Sequence, residues 1–426
     1  MFKRCKLIQF LLSLVLASTA LNALAGFQVS GRALLDGNGN VFVMRGINHA
    51  YTWYTGQNGA FADIAAAGAN TVRVVLSNGT QWTRNNGDEV QNIIELCKAN
   101  KLICVLEVHD STGYPEQGSA THISNATNYW LSSDILPVIQ GQEDFVIINI
   151  ANEPFGNSVA ESTYVNDTKG AIQALRNGGI THTIMVDAGN WGQDWQFFMR
   201  NNAPNIFSSD PARNVIFDVH MYEVFSDASK VSSYMQAFAN HNLPLVVGEF
   251  GATHGGGNVD EDSIFSYAQQ LGFGYLGWSW SGNGSCCTDL DIALNFDPDN
   301  LSAWGNRLIN GSNGIRETSQ IASVYTGSGS SSGGSSSSGS SSSGGGSSES
   351  CLWSDGSVWP MCQTDTGGWG WENNASCVSA SICPGEDAAQ TCTWSDGSVW
   401  PMCENDNGGW GWENNQSCVS ASICPH

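Results

Sequence analysis

Eight apolar runs recur between residues 41 and 281, and most of them end in polar or charged residues. The runs are Val41–His49, Thr71–Ser77, Leu102–Asp110, Phe145–Glu153, Thr183–Gly189, Val215–Tyr222, Pro244–Phe250 and Tyr275–Ser281. Helical patterns lie between several of them, for example Gly59–Ala67, Glu89–Ala99 and Ser263–Leu271. Near-continuous apolar strands that alternate with helices indicate a parallel sheet covered on its faces. Eight such units predict an α/β fold, the closed (β/α)8 or TIM barrel, over residues 26–326. An open doubly wound sheet is the alternative, but no Gly-rich phosphate loop follows the first run.

The two ends of this region have a different composition. Residues 1–25 combine a basic start, an apolar run from Leu7 to Leu21 and the small-x-small sequence Ala23-Leu24-Ala25. This layout predicts a secretory signal peptide cleaved before Gly26, and hence a secreted, extracellular protein. Residues 327–350 are almost wholly Ser and Gly, which predicts a flexible linker.

The tail contains two copies of one short unit, at residues 351–384 and 391–425. Each copy carries four Cys at the same spacing: Cys351, Cys362, Cys377 and Cys383, then Cys392, Cys403, Cys418 and Cys424. A unit this small has too little core to fold without cross-links, so we expect two disulfides per β-rich copy, in any of three pairings. A zinc site is the alternative, although the CxxC spacing typical of such sites is absent. In the barrel, Cys97 with Cys104, and Cys286 with Cys287, are either paired or free.

Charge and composition narrow the class of partner. The net charge of −23 disfavours nucleic acid and anionic membranes as partners, and no stretch after the signal peptide is long and apolar enough to span a bilayer. The chain has 16 Trp, whose flat apolar faces suit sugar rings as well as protein cores. A neutral polymer is therefore the more natural partner, and a monomer the simplest state.

Reactive side chains occur at the ends of the predicted strands, which is where barrel enzymes place their chemistry. They are His49, Arg73, Glu107, His109, Asp110, Asn152, Glu153, Asp187, His220, Tyr222, Glu249, Trp278 and Trp280. Cleavage of a glycosidic bond requires two carboxyl groups, one protonated and one ionised. Glu153 ends the fourth run and Glu249 the seventh, so they can face each other across the barrel. Burial of both as salt-bridge partners is the alternative.

The other polar residues can support this pair. Tyr222, on one face with His220, could donate to a carboxylate, and Arg73 could stabilise its charge, although Arg73 could equally be a structural ion pair. Asn152 could bind the sugar hydroxyl next to the reacting carbon. Trp280 could form the floor under the reacting sugar, with simple packing in the barrel as the alternative. His109 next to Asp110 lacks a metal-binding spacing, so neither a metal nor another cofactor is expected.

Residues 26–325 resemble the catalytic domain of glycoside hydrolase family 5. The likeness is carried by Arg73, His109, Asn152, Glu153, His220, Tyr222, Glu249 and Trp280. It implies that Glu153 is the acid/base, that Glu249 is the nucleophile and that the anomeric configuration is retained. The segments 42–49, 69–77, 106–110, 187–194 and 277–283 resemble those of bacterial endo-β-1,4-mannanases, which implies mannan as the substrate.

The tail copies resemble family 10 carbohydrate-binding modules, which are associated with cellulose. The likeness implies an aromatic platform of Trp359, Trp369 and Trp371, repeated as Trp400, Trp410 and Trp412. The tail would then anchor the enzyme on cellulose. Two alternatives are an endo-β-1,4-glucanase of the same family and a wall-binding protein with an inactive barrel.

Overall fold

The computed structural model describes residues 26–285 and 287–326, together with the backbone of short strands between 350 and 419. The predicted signal peptide, nearly all of the linker, Cys286 and the side chains of the six platform tryptophans lie outside the described residues. The barrel and the tail form separate units, divided between Ser331 and Ser332.

Eight parallel strands close into a barrel. They are β1 (Arg45–His49), β2 (Thr71–Leu76), β3 (Ile103–Val108), β4 (Val146–Asn149), β5 (Ile184–Asp187), β6 (Val215–Met221), β7 (Leu245–Phe250) and β8 (Gly274–Gly277). Each strand pairs in parallel with the next along the chain, and β8 pairs with β1. The (β/α)8 prediction is confirmed.

Helices cover the outside of the barrel. They are α1 (Ala60–Ala66), α2 (Gly87–Ala99), α3 (Ile123–Trp130), α4 (Leu136–Ile139), α5 (Glu161–Asn177), α6 (Phe198–Ser209), α7 (Ala228–Asn240), α8 (Glu261–Leu271), α9 (Ala303–Asn310) and α10 (Ile315–Thr318). Helix α2 shows why they form: Asn86 and Glu89 make reciprocal capping bonds at its start, and its buried residues recur at helical spacing from Val90 to Cys97. No helix in the described part of the chain is both long and apolar enough to cross a bilayer.

The barrel interior changes from apolar to polar along its axis. Its lower layer contains Ile103, Val105, Ile147, Met185, Ile216, Val246 and Leu276, closed below by the small antiparallel sheet of Gln28–Ser30, Ala33–Leu35 and Val41–Phe42. On β6 the side chains that share the parity of Ile216 are Asp218 and His220. Polar side chains therefore lie toward the C-terminal ends of the strands. We call this end of the barrel the mouth.

Two strand boundaries differ from the predicted runs. Val41–His49 divides into the short strand Val41–Phe42 and β1, and the last run ends as a strand at Gly277 instead of Ser281. After Gly277 the backbone N–H of Trp278 bonds the carbonyl of Phe250 on β7, and the Trp278–Ser279 peptide is cis. Strand alternation therefore cannot be extended beyond β8.

Two cysteines of the barrel are free thiols, because Cys97 and Cys104 are both buried and form no disulfide bond.

In the tail, Ser350–Leu352 pairs antiparallel with Val358–Pro360, and Trp369–Glu372 with Ala375–Val378. The second copy repeats both hairpins at Thr391–Thr393 with Val399–Pro401 and Trp410–Glu413 with Gln416–Val419. The described backbone of the tail is thus built from antiparallel strand pairs, as predicted.

Candidate active site

Two adjoining cavities form a cleft at the mouth, with volumes of about 500 and 590 Å³. Both are lined by Glu153, Tyr222 and His254, so these three side chains lie where the cavities meet. The first cavity, which also contains Glu249 and Trp278, is called the Glu249 lobe. The second, which contains Trp191 and Trp195, is called the Trp191 lobe and is not lined by Glu249.

Glu153 follows β4 in an unusual backbone conformation. Its φ angle is +40°, in the left-handed region that L-residues other than glycine rarely adopt. Two hydrogen bonds hold it there: its N–H donates to Asp187 Oδ2 at 2.9 Å, and its carbonyl accepts from Gly113 N–H at 2.9 Å. Strain of this kind persists only where neighbouring groups enforce it, and here it directs a carboxylate into the cleft.

Glu249 is positioned by a bulge in β7. The register against β6 shifts between Val247 and Glu249, which leaves Gly248 as the extra residue. Gly248 N–H donates to Asp218 Oδ1 at 2.7 Å, and Gly248 O accepts from Asn48 Nδ2 at 2.8 Å. A Cβ at position 248 would lie 2.2 Å from both oxygens of Asp218, so only glycine fits.

Arg73 lies fully buried beneath the two carboxylates. Its Nη1 donates to Glu249 Oε1 at 2.8 Å, and its Nη2 donates to Asn152 Oδ1 at 2.7 Å. Burial opposes the charge of Arg73, but Glu107, Glu249 and Asp187 raise its pKa above the ordinary value. Arg73 is therefore part of the site as well as a structural ion pair, the two alternatives left open by the sequence.

His220 lies between the two glutamates. Its Nδ1 is 2.7 Å from Glu153 Oε1 and 3.5 Å from Glu249 Oε2. Burial disfavours the imidazolium, but the charge of Glu249 and the contacts with Asp218 and Glu153 raise the pKa of His220 well above its usual range. The protonated form of the ring is therefore favoured, and its charge acts on both carboxylates.

The pKa values of the two carboxyl groups shift in opposite directions. Burial raises the pKa of Glu153, the hydrogen bond from His220 opposes the rise, and the charge of Glu249 adds to it. Burial would also raise the pKa of Glu249, but His220, Arg73, His109 and the Tyr222 hydroxyl together lower it. One oxygen from each glutamate lies within 4.8 Å of the other. The site thus holds an acid and a carboxylate side by side.

Tyr222, Asn152 and His109 all line the Glu249 lobe, as predicted. Tyr222 Oη donates to Glu249 Oε2 at 2.9 Å, and Asn152 Nδ2 donates to Thr112 Oγ1 at 2.9 Å. His109 Nδ1 is 2.9 Å from Glu107 Oε1, an interaction that raises the pKa of the ring against the effect of its burial. These contacts fix the polar side chains around Glu249.

Trp280 lies elsewhere than predicted. Its side chain is 1% exposed and packs in the hydrophobic core, whereas Trp278 lines the Glu249 lobe and stacks on His109 with ring centroids 5.8 Å apart. The physical reason is the end of β8 at Gly277, after which alternation no longer decides which side chain faces the cleft. Trp278, which the sequence marked only as a strand end, is therefore part of the aromatic lining of this lobe, together with Trp53 and Tyr54.

His254 also lines both lobes of the cleft. It lies in a hairpin after β7, stacks on Tyr222 with centroids 4.3 Å apart and places Nδ1 2.6 Å from Glu223 Oε2. Nothing in its local sequence distinguishes it, since the contact depends on how the loop folds back over the mouth.

Two groups of described residues could place three ligand atoms within 4.8 Å of one another: Glu153, His220 and Glu249, and Asp187, Asp218 and His220. Both groups require His220. A protonated imidazole has no lone pair free for a metal ion. The arrangement suits proton transfer better than metal binding.

Comparisons with known proteins agree with this geometry. The family described as cellulase (glycosyl hydrolase family 5) matches residues 35–284, and the family described as a cellulose or protein binding domain matches residues 350–379 and 391–420. A mannan endo-1,4-beta-mannosidase of Cellvibrio japonicus is 53% identical over 377 residues, which cover 87% of this chain and 84% of that one. A mannan endo-1,4-beta-mannosidase of Streptomyces lividans is 50% identical over 368 residues, 85% of this chain and 90% of that one.

A solved structure is similar as well. The mannohexaose complex of the beta-mannanase from Thermomonospora fusca is 50% identical, with a TM-score of 0.68, and the match covers 71% of this chain and 99% of that one. The resemblances of the barrel and of the tail modules inferred from the sequence are both confirmed. The chain belongs to glycosyl hydrolase family 5.

Proposed function

We propose that this protein is a secreted endo-β-1,4-mannanase that cleaves plant-wall mannan with retention of configuration. The observation that carries the proposal is the pair Glu153 and Glu249, which lie close together with pKa values shifted in opposite directions. Mannan as the substrate is supported by the two relatives named mannan endo-1,4-beta-mannosidase and by the relative solved with mannohexaose.

In the first step, the ionised carboxylate of Glu249 attacks the anomeric carbon and forms a covalent bond to the sugar. The protonated carboxyl of Glu153 gives its proton to the glycosidic oxygen as the bond from that oxygen to the anomeric carbon breaks. The leaving chain departs with a new hydroxyl group, and Glu153 is left ionised. His220, which contacts both groups, stabilises the carboxylate charge at each stage.

In the second step, Glu153 takes a proton from a water molecule, and the resulting hydroxide oxygen attacks the anomeric carbon. The bond to Glu249 breaks, which restores its carboxylate, and Glu153 is protonated again. Two inversions at one carbon give net retention.

The distance between the carboxyl groups favours this route over single displacement. Retaining glycosidases hold their carboxyl groups about 5–5.5 Å apart, and inverting ones about 6.5–9.5 Å apart to admit a water molecule. One oxygen of Glu153 lies within 4.8 Å of one oxygen of Glu249, which supports the shorter, retaining separation.

The two lobes support cleavage inside a chain. The covalent sugar would be bound in the Glu249 lobe, and the departing chain would lie in the Trp191 lobe, which contains Glu153 but not the nucleophile. Since the cleft continues on both sides of Glu153, a polysaccharide could pass through it.

The remaining parts of the proposal concern location. The predicted signal peptide would export the protein, and the tail, which matches a cellulose or protein binding domain, would hold it on cellulose beside the mannan that it cuts. The linker would keep the barrel near that surface. A metal or other cofactor has no role in the proposed reaction.

The decisive experiment compares reducing-sugar release from galactomannan and from carboxymethylcellulose. We expect galactomannan to be the better substrate, and a dominant activity on carboxymethylcellulose would make the protein an endoglucanase. Proton NMR of the first products from mannopentaose tests the stereochemistry. The β-anomer should appear first and then mutarotate, whereas α-anomer at the start would exclude retention.

A further inference from the structure

Asp218 is a buried carboxylate that the proposed reaction does not use. It lies midway along β6, is fully buried and lies below His220 on the same face of the strand. Its Oδ1 accepts the Gly248 N–H at 2.7 Å. Its Oδ2 lies 3.5 Å from His220 Nε2, and neither of these two atoms has a closer hydrogen-bond partner among the described residues.

The first contact acts on the nucleophile. Gly248 is the extra residue of the β7 bulge, and the bulge sets the direction of the next side chain, Glu249. Because a Cβ at position 248 would lie 2.2 Å from both oxygens of Asp218, the glycine backbone and this carboxylate are in close contact. A shift of Asp218 would therefore change how Glu249 is aimed.

The second contact acts on the acid. Four carboxylates face the His220 ring: Glu153 and Glu249 approach Nδ1 at 2.7 and 3.5 Å, while Asp218 and Asp187 approach Nε2 at 3.5 and 3.6 Å. Gly192 lies against the ring, since a Cβ at position 192 would be 2.7 Å from His220 Nδ1. Its carbonyl also accepts the backbone N–H of His220 at 2.8 Å. Arg73 contacts the same cluster of carboxylates, with its Nη2 3.7 Å from Asp187 Oδ2.

We infer that Asp218 is a positioning residue that fixes both catalytic carboxylates, Glu249 through the Gly248 bulge and Glu153 through the charge of His220. The inference rests on the roles given to Glu153 and Glu249 in the proposed function. One buried carboxylate thus fixes the positions of the acid and the nucleophile relative to each other.

Asp187 is less suited to this role. Its oxygens already accept from Asn149 Nδ2 at 2.6 Å and from Glu153 N–H at 2.9 Å. Burial, with the charge of Asp218 adding to it, raises the pKa of Asp187 to about 6. Asp187 is therefore less available as a counter-ion of His220, since other donors already occupy its oxygens.

Asp218→Asn separates charge from shape. The amide oxygen can still accept from Gly248 N–H, while the amide NH₂ faces His220 Nε2 and favours the neutral ring. In the full-length protein with ¹⁵N-labelled histidine, we expect NMR to show that His220 loses its proton at a lower pH than in the wild type. We expect kcat on galactomannan to fall roughly 10- to 100-fold, as when outer carboxylates that orient a histidine are removed, with little change in KM.

The pH profile should change as well. Once His220 loses its charge, Glu153 loses a cation that lowers its pKa, so the alkaline limb of kcat should move to higher pH. A purely structural role would lower kcat equally at every pH.

Gly248→Ala tests the same contact from the other strand, since it keeps every charge but displaces the Asp218 carboxylate. We expect a fall in kcat in the same range. Asp210→Asn is the matched control, because Asp210 is also buried and forms an ion pair, in this case with Arg176. Asp210 lies in the segment before β6, at the end of the barrel away from the mouth. It should lower the temperature of unfolding while His220 titrates as in the wild type.

Two results would overturn the inference. One is an Asp218→Asn variant whose His220 titrates as in the wild type and whose kcat stays within twofold. The other is an Asp210→Asn variant that reproduces the shifts in His220 and in the alkaline limb. If the wild type instead failed to hydrolyse mannan, the proposed function would fail, while the His220 titration would still decide the role of Asp218.

Discussion

The hydroxyl of Tyr222 donates a 2.9 Å hydrogen bond to Glu249 Oε2, from a residue that directly follows the neighbouring strand β6. Arg73 bonds the other oxygen of the same carboxylate, so both oxygens of Glu249 are held in one orientation. A carboxylate fixed in this way is ready to attack without reorganisation, which is how a preorganised site lowers a barrier.

Tyr222→Phe removes this donor and keeps the ring. A hydrogen bond to a charged group contributes about 1.5–3 kcal/mol, so kcat/KM on galactomannan should fall roughly 10- to 150-fold. Because the bond lowers the pKa of Glu249, the acidic limb should also move to higher pH. Tyr325→Phe, which loses a hydroxyl bonded to Leu102 O away from the site, should leave that limb in place.

The loss of activity in Glu249→Ala and in Glu153→Ala should depend differently on the substrate. Loss of the nucleophile leaves no covalent route, so turnover should fall roughly 10⁴-fold or more on every substrate. Loss of the acid should be less severe on an aryl mannoside with a good leaving group, which needs little protonation. A Glu249→Ala variant with normal turnover would show that the nucleophile is another residue.

The pH profile of kcat/KM should be bell-shaped. Activity needs Glu249 ionised and Glu153 protonated. The pKa of Glu249 is lowered, so activity is lost only when the pH falls below the ordinary range of a glutamate. The pKa of Glu153 is raised, so activity persists above that range and is lost as the pH rises through the shifted value. A plateau with no alkaline limb would argue against Glu153 as the acid.

Trp278→Leu and Trp280→Leu form a matched pair. Trp278 lines the Glu249 lobe, and truncation of a stacked aromatic at a binding centre costs about 2 kcal/mol or more. Its variant should lose roughly 30-fold in kcat/KM with little change in the unfolding temperature. Trp280 is buried, so its variant should unfold several degrees lower and keep most of its activity. The reverse pattern would restore Trp280 as the residue beneath the sugar.

A chain that ends at Tyr325 should keep its activity on soluble galactomannan and lose retention on insoluble cellulose. The cut preserves the barrel, because Tyr325 Oη still donates to Leu102 O at 2.8 Å and the division between the two units falls after it. A pull-down with microcrystalline cellulose measures retention. Equal retention of the shortened and full chains would remove the anchoring role of the tail.

Much of the barrel was predictable because its strands are buried on both faces. The run Thr71–Ser77 is observed as Thr71–Leu76, and every residue of that strand is buried, so a nearly continuous apolar pattern, interrupted by Arg73, identifies it. Glu153 and Glu249 were predictable for a related reason: a charged residue that ends such a run stands out against it.

The remaining features depend on contacts between distant segments. The left-handed φ of Glu153 is imposed by Asp187 and Gly113, and the placement of Trp278 by the turn after β8. Asp218 did carry a signal, a charged residue inside the apolar run Val215–Tyr222, yet its bond to Gly248 required knowledge of a bulge. The local sequence pattern therefore identifies the candidate residues, whereas the closed barrel determines which of them come into contact.

The backbone of Glu153 has a consequence for how this enzyme can be improved. A left-handed conformation is unfavourable by about 1–3 kcal/mol for a residue with a side chain, and glycine would adopt it freely. Selection for heat tolerance alone would therefore favour loss of the side chain on which turnover depends. Libraries screened for thermal stability without an activity assay would enrich inactive variants at position 153. The most stable barrel would then be one without hydrolytic activity.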